Sequence, residues 1–106
     1  PKQAASGPCL ILNDGRMISI GLAPLVLGRS PVADVVLQDP TVSIRHARVS
    51  VQGRDVLVED LLSANGTWVN GQKIRFRKLT HGDLLQVGDT EVKIELRQRR
   101  GAVGSA

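Results

Sequence analysis

Apolar residues in this chain come in short runs, and nearly every run is closed by a turn residue. Cys9-Leu10-Ile11-Leu12 stops at Asn13-Asp14-Gly15, Met17-Ile18-Ser19-Ile20 at Gly21, Leu25-Val26-Leu27 at Gly28, and Val35-Val36-Leu37 at Asp39-Pro40. Residues 47–51 alternate apolar with polar up to Gly53, Val56-Leu57-Val58 stops at Asp60, Thr67-Trp68-Val69 at Asn70-Gly71, and Leu84-Leu85-Gln86-Val87 at Gly88-Asp89. Residues 92–96 alternate once more. Short runs punctuated by Gly, Asn and Asp are the mark of strands, and the helical period is almost absent. The expected fold is all-β, a sandwich or barrel of short strands. Asn70-Gly71 predicts a two-residue hairpin, because both central positions need positive φ. The stretch Lys73-Ile74-Arg75-Phe76-Arg77-Lys78 alternates charge with apolar and predicts one half-buried strand with a solvated basic face. The longest irregular gap runs from 60 to 66, and such loops on a rigid sandwich carry function.

Composition sharpens this picture. A chain of 106 residues makes one domain, and 42% hydrophobic residues suit a folded globule. Trp68 and Phe76 are the sole aromatics, so the core is aliphatic and no surface stacks a series of bases. No apolar run approaches the roughly 18 residues of a membrane helix, so no membrane insertion is expected. The single cysteine, Cys9, excludes an internal disulfide and reads as a buried filler. His46 and His81 have no metal-ligand cluster around them, so neither a metal nor a cofactor is expected. Of the 14 basic residues, Arg97, Arg99 and Arg100 lie after the last apolar run, and without them the net charge of +4 nearly vanishes. The basic tail reads as a soluble linker rather than a nucleic-acid arm. Residues 1–7 and 98–106 are expected to be flexible ends around a folded body at 8–97.

Candidate chemistry sits in loop segments far apart in sequence. These are Gly28-Arg29-Ser30, Ser43-Ile44-Arg45-His46, and Asn65-Gly66-Thr67 followed by Val69-Asn70-Gly71. The ordered set Gly-Arg, Ser-x-x-His, Asn-Gly-Thr and Val-Asn-Gly resembles the forkhead-associated (FHA) domain, a phosphothreonine-peptide binding module. Asp34-Val35-Val36-Leu37, Glu59-Asp60-Leu61, Gly82-Asp83 and Val87-Gly88 agree with the same pattern. Each piece alone is a weak signal. Together, in order and on an all-β background, they cover nearly the whole folded body.

The resemblance implies an all-β, two-sheet β-sandwich of roughly ten to eleven short, mainly antiparallel strands with its binding loops at one end, and a role for each matching residue. Arg29 is the candidate phosphate clamp and Ser43 the hydroxyl donor to the same phosphate. The family often carries a polar or basic residue after that serine; here stands Ile44, which offers only its backbone amide. Asn65 would hold the main chain of the peptide, and Thr41 and Ala64 sit where flanking peptide residues would be read. Gly28, His46 and Gly66 would support the binding loops, with His46 an organiser rather than a ligand contact. The chemistry is apt, since a phosphothreonine carries about −1.5 to −2 charges and three acceptor oxygens, and an arginine presents a rigid fork of donors. The implied partner is a phosphothreonine-containing protein: a Ser/Thr kinase, its substrate, or a segment of the same full-length protein. The implied setting is the cytoplasm, or the cytosolic part of a larger membrane-associated protein. An FHA-fold domain that binds a protein surface without phosphate is the alternative. No phosphate-cradling Gly-x-x-x-x-Gly-Lys stretch is present, and Ser43 with His46 has no acid placed beside it, so no enzyme is expected.

Overall fold

Residues 7–96 are described by the structure, a computed structural model, and they form eleven strands in two sheets. The strands are β1 (Cys9–Leu12), β2 (Met17–Ser19), β3 (Leu25–Gly28), β4 (Val35–Val36), β5 (Ala47–Gln52), β6 (Asp55–Asp60), β7 (Thr67–Val69), β8 (Gln72–Ile74), β9 (Phe76–Leu79), β10 (Leu84–Val87) and β11 (Thr90–Glu95). One sheet has the order β2-β1-β11-β10-β7-β8 and the other β4-β3-β5-β6-β9. All pairings are antiparallel except β3 with the two-residue β4. The all-β fold expected from the punctuated runs, and the two-sheet sandwich that the resemblance implies, are the observed architecture. The expected flexible ends, 1–7 and 98–106, lie outside the described residues apart from Gly7.

The period of two fixes which residues meet between the sheets. Leu10, Leu12, Val69, Leu85, Val87, Val92 and Ile94 are buried from the first sheet. Leu27, Ala47, Val49, Val56, Val58 and Leu79 are buried from the second. The core is aliphatic throughout, as the scarcity of aromatics requires. Cys9 is free and buried. Among the described residues, no helix is long and apolar enough to cross a membrane.

The Asn70-Gly71 turn forms as predicted, with φ of +50° and +84° and Val69 paired with Gln72. Asn70 also ties the turn to the next strand: its Nδ2 donates to Asp83 Oδ1 at 2.9 Å, and its Oδ1 accepts the Leu84 amide at 2.9 Å. The stretch 73–78 departs from expectation. It is two strands in different sheets, with the chain crossing at Arg75. Ile74 pairs with Thr67 in the first sheet and Phe76 with Glu59 in the second. The crossing inverts the parity of inward positions, so Ile74 turns inward while Phe76 is 59% exposed. A local alternation cannot register such an inversion.

The register places all the candidate segments at one end. Leu27 pairs with Ala47 and Ala47 with Asp60, so β3 leaves, β5 enters and β6 leaves at the same level. Thr67 pairs with Val87 and Val87 with Thr90, which brings the start of β7 and the β10–β11 turn there too. The two sheets meet at this level through the His46 side chain, at the entry to β5, whose Nε2 bonds to Gly66 O, at the entry to β7, at 2.8 Å.

Candidate functional site

Gly28 is the last residue of β3, and its lack of a side chain sets the geometry of the loop end. A Cβ built there would lie 2.1 Å from Ile44 O and 2.9 Å from Ile44 C. Only glycine lets β3 lie this close to the 43–46 turn. The approach is locked by backbone bonds: Arg29 N donates to Ser43 O at 3.0 Å, Ser30 N to Ile44 O at 3.3 Å, and His46 N to Leu27 O at 2.9 Å.

His46 joins this turn to the next loop. Its ring is wholly buried. Nδ1 accepts the Ser43 amide at 3.0 Å, so the ring proton is on Nε2, which donates to Gly66 O at 2.8 Å. Its backbone carbonyl accepts from Leu61 N at 2.8 Å. Both ring nitrogens are spent inside the protein, which leaves the imidazole no capacity for a ligand. Gly66 itself has φ +91°, a conformation that L side chains rarely adopt.

Asp60 shapes the 61–66 loop from within. Its Oδ1 accepts Thr67 Oγ1 at 2.7 Å and Ser63 Oγ at 2.5 Å, and its Oδ2 accepts Ser63 N at 3.2 Å. Ser63 Oγ in turn accepts Gly66 N at 2.9 Å. Burial pushes the Asp60 carboxyl up, but the hydrogen bonds from Ser63 and Thr67 outweigh it and hold the group below its ordinary value. Asp83 is likewise held low by Thr80 and Asn70 against burial. Asp39 is held low first by Thr90 and then by Thr41. A carboxylate with a lowered folded pKa contributes stability that is complete above its unfolded value of 3.8 and is lost as pH falls through the folded value. The melting temperature is therefore expected to hold between pH 7 and 5 and to drop below about pH 4. Asp60→Asn should lower stability at pH 7 and flatten the acid limb, which thermal denaturation across pH measures directly.

The candidate ligand groups stand on this frame. Arg29 is exposed; its Nε donates to Val42 O at 2.8 Å, and its terminal Nη groups have no hydrogen-bond partner among the described residues. The anchored Nε fixes the direction of the guanidinium while the rest of the fork stays available. Ser43 Oγ accepts the Ala64 amide at 3.0 Å, which leaves its hydroxyl proton to donate elsewhere. Ile44 is 54% exposed, and its amide has no partner among the described residues. Asn65 is exposed; its Nδ2 donates to Thr41 O at 2.7 Å, and its Oδ1 has no partner among the described residues. Ala64 is exposed beside Ser43. Thr41 turns its hydroxyl inward, donating to Asp39 Oδ1 at 2.8 Å and accepting the Asp89 amide at 2.8 Å. The structure thus brings Arg29, Ser43, Ile44, Ala64 and Asn65 together at one end. Gly28, His46 and Gly66 lie beneath them, and Thr41 touches the group through its carbonyl.

Similarity to known proteins agrees with this geometry. The FHA domain family profile matches residues 25–88. The chain belongs to the FHA domain family. It is 36% identical over 81 residues to the FHA domain-containing protein FhaB of Mycolicibacterium smegmatis, covering 76% of this chain and 52% of that protein. It is 43% identical over 61 residues to the glycogen accumulation regulator GarA of the same organism, covering 58% of this chain and 39% of that one. The FHA domain here thus spans about half or less of these relatives. A solved structure from a structural and functional analysis of phosphothreonine-dependent FHA domain interactions superposes with a TM-score of 0.82 at 31% identity, covering 87% of this chain and 98% of that one. The family is one of interaction modules rather than enzymes.

Some of what holds the FHA loops was not assigned a role from sequence. Asp60 and Ser63 stand at the spacing of a side-chain-capped turn, a signal that is present but weak. Gly88 carries none. A Cβ there would lie 2.7 Å from both Thr41 O and Thr41 Oγ1, a close approach across 47 positions of chain that only the fold reveals.

Proposed function

We propose that this FHA domain binds phosphothreonine-bearing protein segments across its loop end. The phosphate sits between the Nη groups of Arg29, the Ser43 hydroxyl and the Ile44 amide. Asn65 Oδ1 accepts from the peptide backbone, and Ala64 and Thr41 border the flanking residues. The observation that carries this reading is the set of outward donors without internal partners, held on a buried frame by His46 and Gly28. A fork of donors with a hydroxyl and an amide matches an anion with three acceptor oxygens, and the positive charge favours the phosphorylated form. The related domain structure described for phosphothreonine-dependent interactions supports the same ligand class.

The partner is then the product of a Ser/Thr kinase: the kinase itself, another of its substrates, or a segment of the same full-length protein. Such partners set the domain in the cytoplasm or on the cytosolic part of a membrane-associated protein. Isothermal calorimetry with matched peptides tests the reading. The phosphothreonine peptide is expected to bind with micromolar affinity, about −8 kcal/mol. The unphosphorylated peptide is expected to bind at least tenfold more weakly (a difference of about 1.4 kcal/mol or more), with phosphoserine between them. Equal affinity for all three would favour instead the phosphate-independent interaction surface, to which the exposed Ile44 would contribute an apolar contact.

A further inference from the structure

The β8–β9 crossover carries a concentration of exposed apolar and cationic side chains that phosphate capture does not use. Two grooves meet there. One, of about 490 Å³, is lined by Asp60, Leu62, Ser63, Lys73, Ile74 and Arg75. The other, of about 360 Å³, is lined by Glu59, Asp60, Leu62, Arg75 and Phe76. Leu62 stands between them, 93% exposed and with φ +59°. That conformation is uncommon for any residue but glycine, and here it holds a large aliphatic side chain out in water. Phe76 is 59% exposed on the other side.

Two cations at this place have no partner among the described residues. Among the described residues, Lys73 and Arg75 are exposed and make no ion pair or side-chain hydrogen bond. The nearby carboxylates are occupied: Asp60 by Ser63 and Thr67, and Glu59 by Arg48 at 2.7 Å. The stem of Lys73 lies over Gly66, its Cε 3.0 Å from where a Cβ would stand, and Lys73 is the cross-strand partner of Trp68. This puts the stem of Lys73 against the loop that carries Asn65. The patch is continuous with the candidate site through residues 61–66. An extended chain advances about 3.3 Å per residue, so a peptide crossing Asn65 reaches the grooves within a few residues.

We propose that the β8–β9 crossover is a second contact surface for the phosphorylated partner, taking an aliphatic side chain against Leu62 and Phe76 and a carboxylate against Lys73 and Arg75. The inference rests on the phosphopeptide reading and adds to it the class of sequence selected beside the phosphothreonine.

Calorimetry with two kinds of phosphothreonine peptide tests it. A short peptide has alanine at two positions on each side. A long series extends it by four residues each way and moves a Leu-Glu pair through every position. One register is expected to bind about five- to tenfold tighter than the short peptide, a gain typical of one apolar contact plus one partly exposed ion pair. Replacing its glutamate by lysine should cancel the gain. Leu62→Gly fits the left-handed backbone and so keeps the loop, and Lys73→Gln with Arg75→Gln removes the charges. The ratio of long to short affinity within each variant is the readout, and it should fall towards one in both. A series with no favoured register overturns the proposal, as does a gain that survives both variants. If phosphorylated and unphosphorylated short peptides bind alike, the phosphopeptide reading falls and this proposal with it. If only the series is flat, the proposal falls alone.

Discussion

Arg29→Ala is expected to weaken phosphothreonine-peptide binding by about 2–5 kcal/mol while leaving the fold intact, which at 1.4 kcal/mol per tenfold is roughly thirtyfold to several thousandfold. The loss is large because the guanidinium is directed before any ligand arrives. Its Nε bond to Val42 O fixes the side chain, so little rotamer freedom remains to be lost on binding. Ile44 raises the stake, since the position after Ser43 supplies no side-chain donor. Stability should barely change, because Arg29 is exposed and the bond to Val42 is its sole side-chain hydrogen bond among the described residues. Arg29→Lys should recover part of the affinity, as it restores the charge without the planar fork. Calorimetry beside thermal denaturation separates the two effects. Unchanged affinity in Arg29→Ala would remove the residue from the phosphate site.

The second large effect is expected at Gly28→Ala, and its character is opposite. The added methyl would meet the Ile44 carbonyl oxygen at 2.1 Å; its position is fixed by the β3 backbone, and the oxygen is itself backbone. No rotamer can relieve it, so the 43–46 turn must move away from β3. The bonds Arg29 N to Ser43 O, Ser30 N to Ile44 O and His46 N to Leu27 O are then put under strain together. Overpacking usually costs 1–3 kcal/mol, and a rigid contact belongs at about 3 kcal/mol. For a domain of this length that is on the order of 10–20 °C in melting temperature. Peptide binding should fall as well, because Ser43 and Arg29 would no longer share one frame. A melting temperature within about 2 °C of wild type, less than 1 kcal/mol by the same scale, would show that the turn yields easily.

These two neighbours illustrate how far the sequence could be read. Gly28-Arg29 was legible as a pair, because the resemblance attaches a role to each. The strands were legible because Val, Ile and Leu run in short stretches between Gly, Asn and Asp, and Asn70-Gly71 names its own turn. The crossover at Arg75 was not, because pairing with β7 on one side and β6 on the other is decided by partners distant in the chain. The same holds within the site. The resemblance sets Thr41 beside the flanking peptide residues, but nothing in its local sequence shows that its hydroxyl is committed to Asp39 and the Asp89 amide. Asp60 looked like the end of a strand, and its three bonds to Ser63 and Thr67 emerge only once the loop closes over it.

The pairing of β1 with β11 has one more consequence. Cys9 and Glu95 are register partners at the level farthest from Gly28 and Asn65. The described part of the polypeptide therefore begins and ends its sandwich at adjacent doors, on the side turned away from the candidate loops. A fluorophore or a surface anchor placed on the chain beside Cys9 or Glu95 would stand at the end opposite the candidate loops.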